Sequence, residues 1–252
     1  MQKNMSTDYL SSSLSPSLTS RADAIIVEDL GLRPYGEILD LQRSLHAAMV
    51  SARKEGREVG AERILLVEHT PVITLGRHAV RANLLHSRED MARRGVEVYE
   101  IERGGDVTFH GPGQLVVYPL VDLERHRLGV RRYVELLEEG VIRTLAHYGV
   151  EAGRVEGATG VWIGIGTPAE RKICAIGVKC TRFITMHGLA LNVSTDMSYF
   201  SLINPCGFVD KGVTSLHGEL LASGTPPSEL PAMEEVKQIL AANLLELLGY
   251  CS

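Results

Sequence analysis

The sequence lacks several features that mark large functional classes. No apolar run reaches the roughly 20 residues that a bilayer-spanning helix needs, so we expect no membrane insertion. The formal net charge is −5, whereas general nucleic-acid-binding proteins are usually basic, so we expect no nucleic-acid partner. Four cysteines in 252 residues, with no secretory leader, do not suggest a disulfide framework. We therefore expect reduced thiols and a cytoplasmic protein.

Common catalytic and metal-binding motifs are also missing. There is no G-x-S-x-G elbow, which disfavours a serine hydrolase of the α/β type. The richest glycine stretch, residues 103–114, fits neither the P-loop spacing nor the dinucleotide fingerprint. Cys174 and Cys180 do not have the spacing of a usual zinc site, so we interpret both as packing residues and expect no metal.

Hydrophobic spacing predicts an α+β fold. Helical periodicity covers Tyr35 to Met49 and Arg131 to Tyr148, and a short helix is expected within 84–95. Strands are predicted at 24–30, 63–69, 72–76, 96–101, 115–120, 160–165, 172–180 and 187–193. Single helices alternate with hairpins such as 160–180, without a regular βαβ rhythm. This order favours a mixed or antiparallel sheet with packed helices.

Composition divides the chain into three parts. The first twenty residues contain seven serines, and we expect residues 1–21 to be a disordered leader. Residues 22–226 are expected to form one domain without internal repeats. The proline-flanked segment 227–231 leads into a predicted helix from Met233 to Leu248. We therefore expect 227–252 to be a helical extension packed on the same domain.

One cysteine lies in a turn, Asn204-Pro205-Cys206-Gly207. Proline and glycine mark a bend rather than a helix or strand, so the Cys206 thiol is expected to reach a cleft. A thiol in such a position is either a small packing group or a nucleophile. The turn alone leaves both possibilities open.

Two other segments hold groups suited to a site. The loop that begins at Arg103 contains glycines that allow close backbone approach to a ligand, but an ordinary capped surface loop fits it as well. In the strand 172–180, a period of two puts Lys172 on the same face as Cys174 and Ile176. An ammonium in an interior cleft would favour a nearby thiolate, whereas a solvated lysine at the strand end would not.

Taken together, four ordered motifs resemble one family. They are R-G-G-D-V-T-F-H-G-P-G-Q at 103–114, K-I-C-A-I-G-V at 172–178, H-G-L-A-L-N-V at 187–193 and I-N-P-C-G at 203–207. The chain resembles the lipoyl(octanoyl) transferases, or lipoate-protein ligase B family, over about 24–221. The resemblance implies the α+β catalytic core that biotin and lipoate protein ligases share.

The resemblance also implies an activity and the residues that carry it. An octanoyl group moves from acyl carrier protein to a lysine of a lipoyl domain, through an acyl-thioester on Cys206. Lys172 lowers the pKa of that thiol. The implied substrate-binding residues are Arg103, Gly104, Gly105, Asp106, Val107, Thr108, Phe109, His110, Ala175, Ile176, Gly177, Gly188, Leu189 and Ala190. Neither a cofactor nor a metal is implied.

The implied partners are octanoyl-acyl carrier protein as donor, and as acceptors the lipoyl domains of 2-oxoacid dehydrogenase complexes and the glycine cleavage H protein. The reaction would be the first step of endogenous protein lipoylation. Three alternatives stay open. The chain could be an ATP-dependent lipoate-protein ligase, a non-catalytic protein that binds carrier domains, or a lipoyl amidotransferase acting between carrier domains.

Overall fold

A computed structural model describes residues 25–204 and 212–250. The predicted leader, 1–21, and the turn cysteine, Cys206, lie outside the described residues. The helices are α1 Tyr35–Lys54, α2 Arg88–Arg93, α3 Val130–His147, α4 Leu216–Ala222 and α5 Met233–Leu247. The strands are β1 Ile26–Arg33, β2 Arg63–His69, β3 Val72–Leu75, β4 Glu97–Glu100, β5 Val107–His110, β6 Gln114–Leu120, β7 Gly153–Val155, β8 Ala158–Ile163, β9 Arg171–Thr181, β10 Ile184–Asn192 and β11 Gly212–Val213. Short 3₁₀ helices span Arg81–Asn83, Met197–Leu202 and Pro227–Glu229.

The strands form two sheets. The larger has the order β1-β2-β6-β10-β9-β8-β7, and β11 pairs with β9. The pairs β1/β2 and β11/β9 are parallel, whereas the other pairs of this sheet are antiparallel. The smaller sheet has the order β4-β3-β5. The predicted α+β class with a mixed sheet is confirmed.

Helices cover both faces of the larger sheet, and alternation along β6 shows how. Leu115 and Val117 pack in the main core, which is the cluster that contains α3 and α5, while Val116 and Tyr118 pack in the cluster that contains α1. All nine residues of β10 are buried, as expected for a central strand covered on both sides. Among the described residues, no helix has both the length and the apolar character needed to cross a membrane.

The first strand and the first helix do not end at the predicted residues. The strand prediction stopped before Gly31, but β1 continues to Arg33. Gly31 has a φ of 64°, and the pairing with β2 shifts register between Asp29 and Leu32. Glycine adopts this backbone readily, so it forms an irregularity within the strand rather than its end. The predicted helix at Tyr35 is confirmed, and it continues to Lys54.

The last helix packs closely against α3. Leu240 is fully buried in the main core, and a Cβ on Gly140 of α3 would lie 2.7 Å from a methyl carbon of Leu244. The two helices therefore approach each other at a position where one of them has no side chain. Because α5 contributes several side chains to the main core, we expect it to stabilise the whole fold.

Truncation of one α5 side chain tests this expectation. We predict that Leu240→Ala lowers the free energy of unfolding by about 2–5 kcal/mol, because the lost side chain leaves a cavity in a packed core. Urea unfolding would measure the change. The matched control is Gln238→Ala, an exposed position of the same helix. A loss for Leu240→Ala no larger than that of the control would contradict the contribution of α5 to the core.

Candidate active site

A cavity of about 330 Å³ lies over the face of the larger sheet that β9 and β10 share. Its floor includes two antiparallel residue pairs, Ala175 with Ala190 and Gly177 with Gly188. Paired residues project from the same face of a sheet, so these small residues leave space above the two strands. A Cβ on Gly177 would lie 2.8 Å from the Gly104 carbonyl oxygen, so glycine here lets the 103–106 loop approach the sheet.

Arg103 anchors the loop that faces this floor. Its side chain is buried, and Nη2 donates hydrogen bonds to the carbonyl oxygen of Thr74 at 2.7 Å and to Thr74 Oγ1 at 3.0 Å. Nη1 donates to the Gly104 carbonyl at 3.0 Å. A buried guanidinium is costly unless its donors are paired. These bonds join the loop to β3 and define one wall of the cavity.

His110 presents a neutral imidazole in the wall. Burial lowers the pKa of His110 to about 3, so the ring is uncharged at neutral pH. The Gln114 amide nitrogen donates to Asn192 Oδ1 at 2.8 Å, so Gln114 Oε1 accepts the hydrogen bond from His110 Nδ1 at 2.7 Å. This assignment leaves His110 Nε2 as an acceptor, 3.4 Å from Thr74 Oγ1. The ring can therefore accept a hydrogen bond while it stays neutral.

Lys172 lies at the opposite part of the cavity from the loop anchor. Its Nζ donates to the Thr159 carbonyl at 3.1 Å and lies 4.6 Å from the centroid of the Trp162 ring. A carbonyl oxygen and an aromatic face are both favourable contacts for an ammonium group. The ammonium thus has a defined position at the wall of the cavity.

The prediction that Lys172 shares one face of its strand with Cys174 is wrong. Val161 of β8 pairs with Cys174, but the next residue, Trp162, pairs with Lys172, so β9 has one extra residue at Ile173. This bulge interrupts the period of two. Lys172 therefore lines the cavity with Ala175, whereas Cys174 is fully buried in the main core. Burial raises the pKa of the Cys174 thiol to about 12, in accord with the predicted packing role.

The described residues on both sides of the undescribed segment 205–211 connect to the lining of this cavity. Asn204 donates its backbone N–H to the Asn83 carbonyl at 2.8 Å, and Asn83 Nδ2 donates to the carboxylate of Asp106. On the other side, Val213 pairs with Lys172 and lines the cavity. The chain thus leaves the described structure beside Asn83, which is a hydrogen-bond partner of Asp106, and returns beside Lys172.

Most of the predicted site residues surround the cavity. They are Arg103, Gly105, Asp106, Val107, Thr108, His110, Lys172, Ala175, Ile176, Gly177, Gly188, Leu189 and Ala190. Two others do not line it. Gly104 binds β9 through its N–H, which donates to the Val178 carbonyl at 3.0 Å. Phe109 points into a separate core, where it stacks on Tyr199 with the ring centroids 4.6 Å apart.

Other lining residues were not predicted from the sequence, and they include Tyr35, Tyr118, His187 and Asn192. Tyr35 begins α1 on its buried face, where its spacing suggests only a core residue. Tyr118 lies within an apolar strand and gives no local signal either. His187 begins a predicted strand and one of the four motifs, but neither pattern assigns it a role in the site. These residues reach the cavity through strand and helix packing, which spacing along the chain does not reveal.

Comparison with known proteins now defines the class. A model of the family described as the lipoyl protein ligase A/B catalytic domain matches residues 34–245, and the chain belongs to this family. A curated relative from Bacteroides thetaiotaomicron, named Octanoyltransferase, is 50% identical over 224 residues, which are 89% of this chain and 95% of that protein. A second from Bacteroides fragilis, with the same name, is 51% identical over 88% of this chain and 97% of its own length. The resemblance seen in the motifs is confirmed.

Solved structures agree on the fold. A lipoate-protein ligase A bound with ATP matches with a TM-score of 0.59 at 14% identity, over 90% of this chain and 86% of that one. At this identity the likeness shows the fold alone. The expected relation to the lipoate protein ligase catalytic core is therefore confirmed.

A buried histidine beside the cavity predicts acid sensitivity. His69 Nδ1 donates to the Arg33 carbonyl at 3.1 Å, and Nε2 accepts from the Tyr118 hydroxyl at 2.8 Å. Burial lowers the pKa of His69 from 6.5 to about 4, although the Arg33 carbonyl opposes the shift. The unfolded chain binds the proton more readily than the folded protein. The contribution of neutral His69 to the free energy of unfolding is therefore complete above pH 6.5 and is lost as the pH falls towards 4.

We expect His69→Gln to reduce the loss of stability on acidification. The wild-type histidine accounts for at most about 3 kcal/mol between pH 7 and pH 4, and glutamine has no proton to gain there. Urea unfolding of both proteins at a series of pH values would measure the difference. The pKa of His110 is also lowered, so both proteins lose stability as the pH falls. Only the difference between their two pH slopes therefore measures the contribution of His69. Identical pH slopes would contradict the prediction.

Proposed function

We propose that this chain transfers an octanoyl group from acyl carrier protein to a lysine of lipoyl domains, with Cys206 as the covalent nucleophile. The observation that carries the proposal is the match to curated proteins named Octanoyltransferase, at about half identity over most of both chains. The cavity supports it. Cys206 follows Asn204 by two residues and precedes Val213 by seven, and both of these residues lie beside the cavity wall.

In the first step, the Cys206 thiolate attacks the carbonyl carbon of the octanoyl thioester. The bond to the carrier sulfur breaks, the carrier leaves as a thiolate that then takes the proton of the Lys172 ammonium, and the octanoyl group remains on Cys206. A thiol with its ordinary pKa of about 8.5 is mostly protonated at neutral pH. The Lys172 ammonium lowers the pKa of the Cys206 thiol in this proposal, because it stabilises the adjacent negative charge.

In the second step, the lysine amine of the lipoyl domain attacks the acyl-enzyme carbonyl. An amide bond forms, the thioester bond to Cys206 breaks, and the nitrogen loses one proton. Lys172, left neutral by the first step, accepts that proton. The amine nucleophile is thus matched with a proton acceptor inside the cavity.

The octanoyl chain occupies the space above the small residues of β9 and β10. The proposed substrate-binding groups are the segment 103–110, which is a loop followed by β5, together with Ala175–Gly177 and Gly188–Ala190. Within that segment Gly104 and Phe109 support the wall from behind. Residues 22–226 are the proposed catalytic domain, and 227–252 the extension that packs on it through α5. Cys174 and Cys180 are free thiols, which is consistent with the proposed cytoplasmic location.

The acceptors proposed are the lipoyl domains of 2-oxoacid dehydrogenase complexes and the glycine cleavage H protein. One solved structure with this fold is described as an archaeal bipartite lipoate protein ligase with its E2 lipoyl domain, from Thermoplasma acidophilum. It matches with a TM-score of 0.58 at 17% identity, over 91% of this chain and 84% of that one. It supports the fold of the proposed enzyme and leaves the choice of acceptor to experiment.

Intact-protein mass spectrometry tests the proposal. The full chain is incubated with octanoyl-acyl carrier protein, without ATP and without an acceptor. We expect a gain of one octanoyl group, and its disappearance when a lipoyl domain is added. Modification of the acceptor only with ATP and free octanoate would instead support a ligase. Binding of the carrier without an adduct or transfer would support a non-catalytic protein.

A further inference from the structure

His187 is a buried polar residue in an unusual backbone conformation. Its φ is 62°, a region that few residues other than glycine adopt. The His187 N–H donates to Gln42 Oε1 of α1 at 3.1 Å, which helps to hold this conformation. The imidazole is 2% exposed and lines the cavity. Such strain persists only where the surrounding structure enforces it, and it is common at ligand-binding positions.

Neither ring nitrogen of His187 has a hydrogen-bond partner among the residues that the structure describes. The nearest carboxylate oxygen, Glu102 Oε2, is 3.9 Å from His187 Nε2, which is too far for a hydrogen bond. Burial lowers the pKa of His187 to about 3, so the ring is neutral. A neutral imidazole has one donor and one acceptor. The ring lines the cavity, and the described residues satisfy neither nitrogen.

Strand pairing puts His187 at the end of the cavity remote from Lys172. His187 pairs with Val178, which lies six residues along β9 from Lys172. At about 3.3 Å per residue, and with one residue taken up by the bulge, the separation along the strand is roughly 15–20 Å. If the reacting carbonyl is held near Lys172, as proposed above, the tail of the acyl chain points towards His187.

We propose that His187 is a specificity-determining residue, because its imidazole requires a hydrogen-bonding partner at the inner end of the acyl cavity. This inference rests on the proposed octanoyl transfer. Behind an octanoyl chain this hydrogen-bonding partner is a water molecule, whereas a chain that ends in a hydroxyl supplies the partner itself. A longer hydrocarbon chain displaces the water and leaves the donor and acceptor of His187 without partners, which is unfavourable. His187 thereby disfavours longer, purely hydrocarbon chains.

Isosteric acyl chains test this role. Two pairs of acyl-carrier-protein thioesters are compared, nonanoyl with 8-hydroxyoctanoyl and decanoyl with 9-hydroxynonanoyl. Within each pair only the terminal methyl or hydroxyl differs. The readout is kcat/KM for transfer to a lipoyl domain by the full chain. We expect the wild-type protein to prefer the hydroxyl chain in at least one pair. In His187→Leu, the ratio of hydroxyl to methyl chain should fall roughly tenfold.

Two further variants sharpen the comparison. His187→Asn keeps a donor and an acceptor, and asparagine tolerates a positive φ, so its ratio should stay above that of His187→Leu. His46→Leu removes a buried imidazole of α1 whose Nε2 also has no partner among the described residues, but which does not line the cavity. Its ratio should equal that of the wild type.

A wild-type preference for the methyl chain in both pairs would overturn the inference, and it would do so even if His187→Leu fails to fold. A ratio that His187→Leu leaves unchanged would also overturn it. Octanoyl transfer by the wild type is measured alongside. Its presence separates a failure of this inference from a failure of the proposed function.

Discussion

Cys206→Ala protein is expected to form no octanoyl adduct and to lose transfer by at least about 10³-fold. Alanine removes the only group that the proposed mechanism uses to form a covalent intermediate, and loss of a nucleophile of this kind is among the largest single effects in enzymes. Single-turnover assays with octanoyl-acyl carrier protein and a lipoyl domain would measure the loss. Cys206→Ser should behave similarly, because a hydroxyl is far harder to ionise than a thiol.

The matched control for this prediction is Cys180→Ser. Cys180 is half-buried, and burial raises the pKa of its thiol, so it is a poor nucleophile. This variant should retain both the adduct and the transfer. Near-normal transfer by Cys206→Ala would rule out the covalent mechanism, and an adduct that persists there would point to a different thiol.

Lys172→Arg is expected to separate the two chemical steps. Arginine keeps the positive charge that favours the thiolate, but it does not lose a proton at neutral pH. Adduct formation should therefore be retained to a large degree, whereas transfer to the lipoyl lysine should fall by about 10²–10⁴-fold, the usual size of a general-base effect. Lys172→Met, which removes the charge as well, should impair both steps.

Rapid-quench mass spectrometry would measure the two rates separately. Lys179→Arg is the control, because Lys179 is on the same strand but interacts with Glu102 at 4.0 Å and does not line the cavity. Equal losses in both steps for Lys172→Arg would show that the lysine acts through its geometry rather than as a proton acceptor. Normal transfer would remove Lys172 from the mechanism.

Much of the fold was predictable because long elements carry strong periodicity. The α1 and α3 helices and the β8–β9 hairpin were all expected from spacing and turn residues. β7, β11 and α4 were missed, since three, two and seven residues are too few to show a period. β5 was also missed, because its four residues lie between glycine-rich segments and were interpreted as part of a loop. The end of β1 was predicted wrongly because Gly31 was interpreted as a stop rather than as an irregularity within the strand.

The candidate site was predictable to the extent that its motifs are contiguous. The segment 103–110 and the short glycine-containing segments of β9 and β10 were identified from local composition and resemblance, and most of their residues line the cavity. The face of Lys172 was not predictable, because the bulge at Ile173 depends on pairing with β8. Phe109 was placed with the site by its neighbours in sequence, although its ring belongs to another core.

The sequence by itself determined the class of fold, the order of the motifs and the chemical types proposed for transfer, a thiol in a predicted turn and a lysine on a strand. These properties follow from local composition and periodicity. Tertiary structure alone decided that Lys172 and Asp106 flank one cavity, and that His187 at its other end lacks hydrogen-bond partners among the described residues. The physical reason is that strand register and burial arise from pairing between distant segments, which no local pattern encodes.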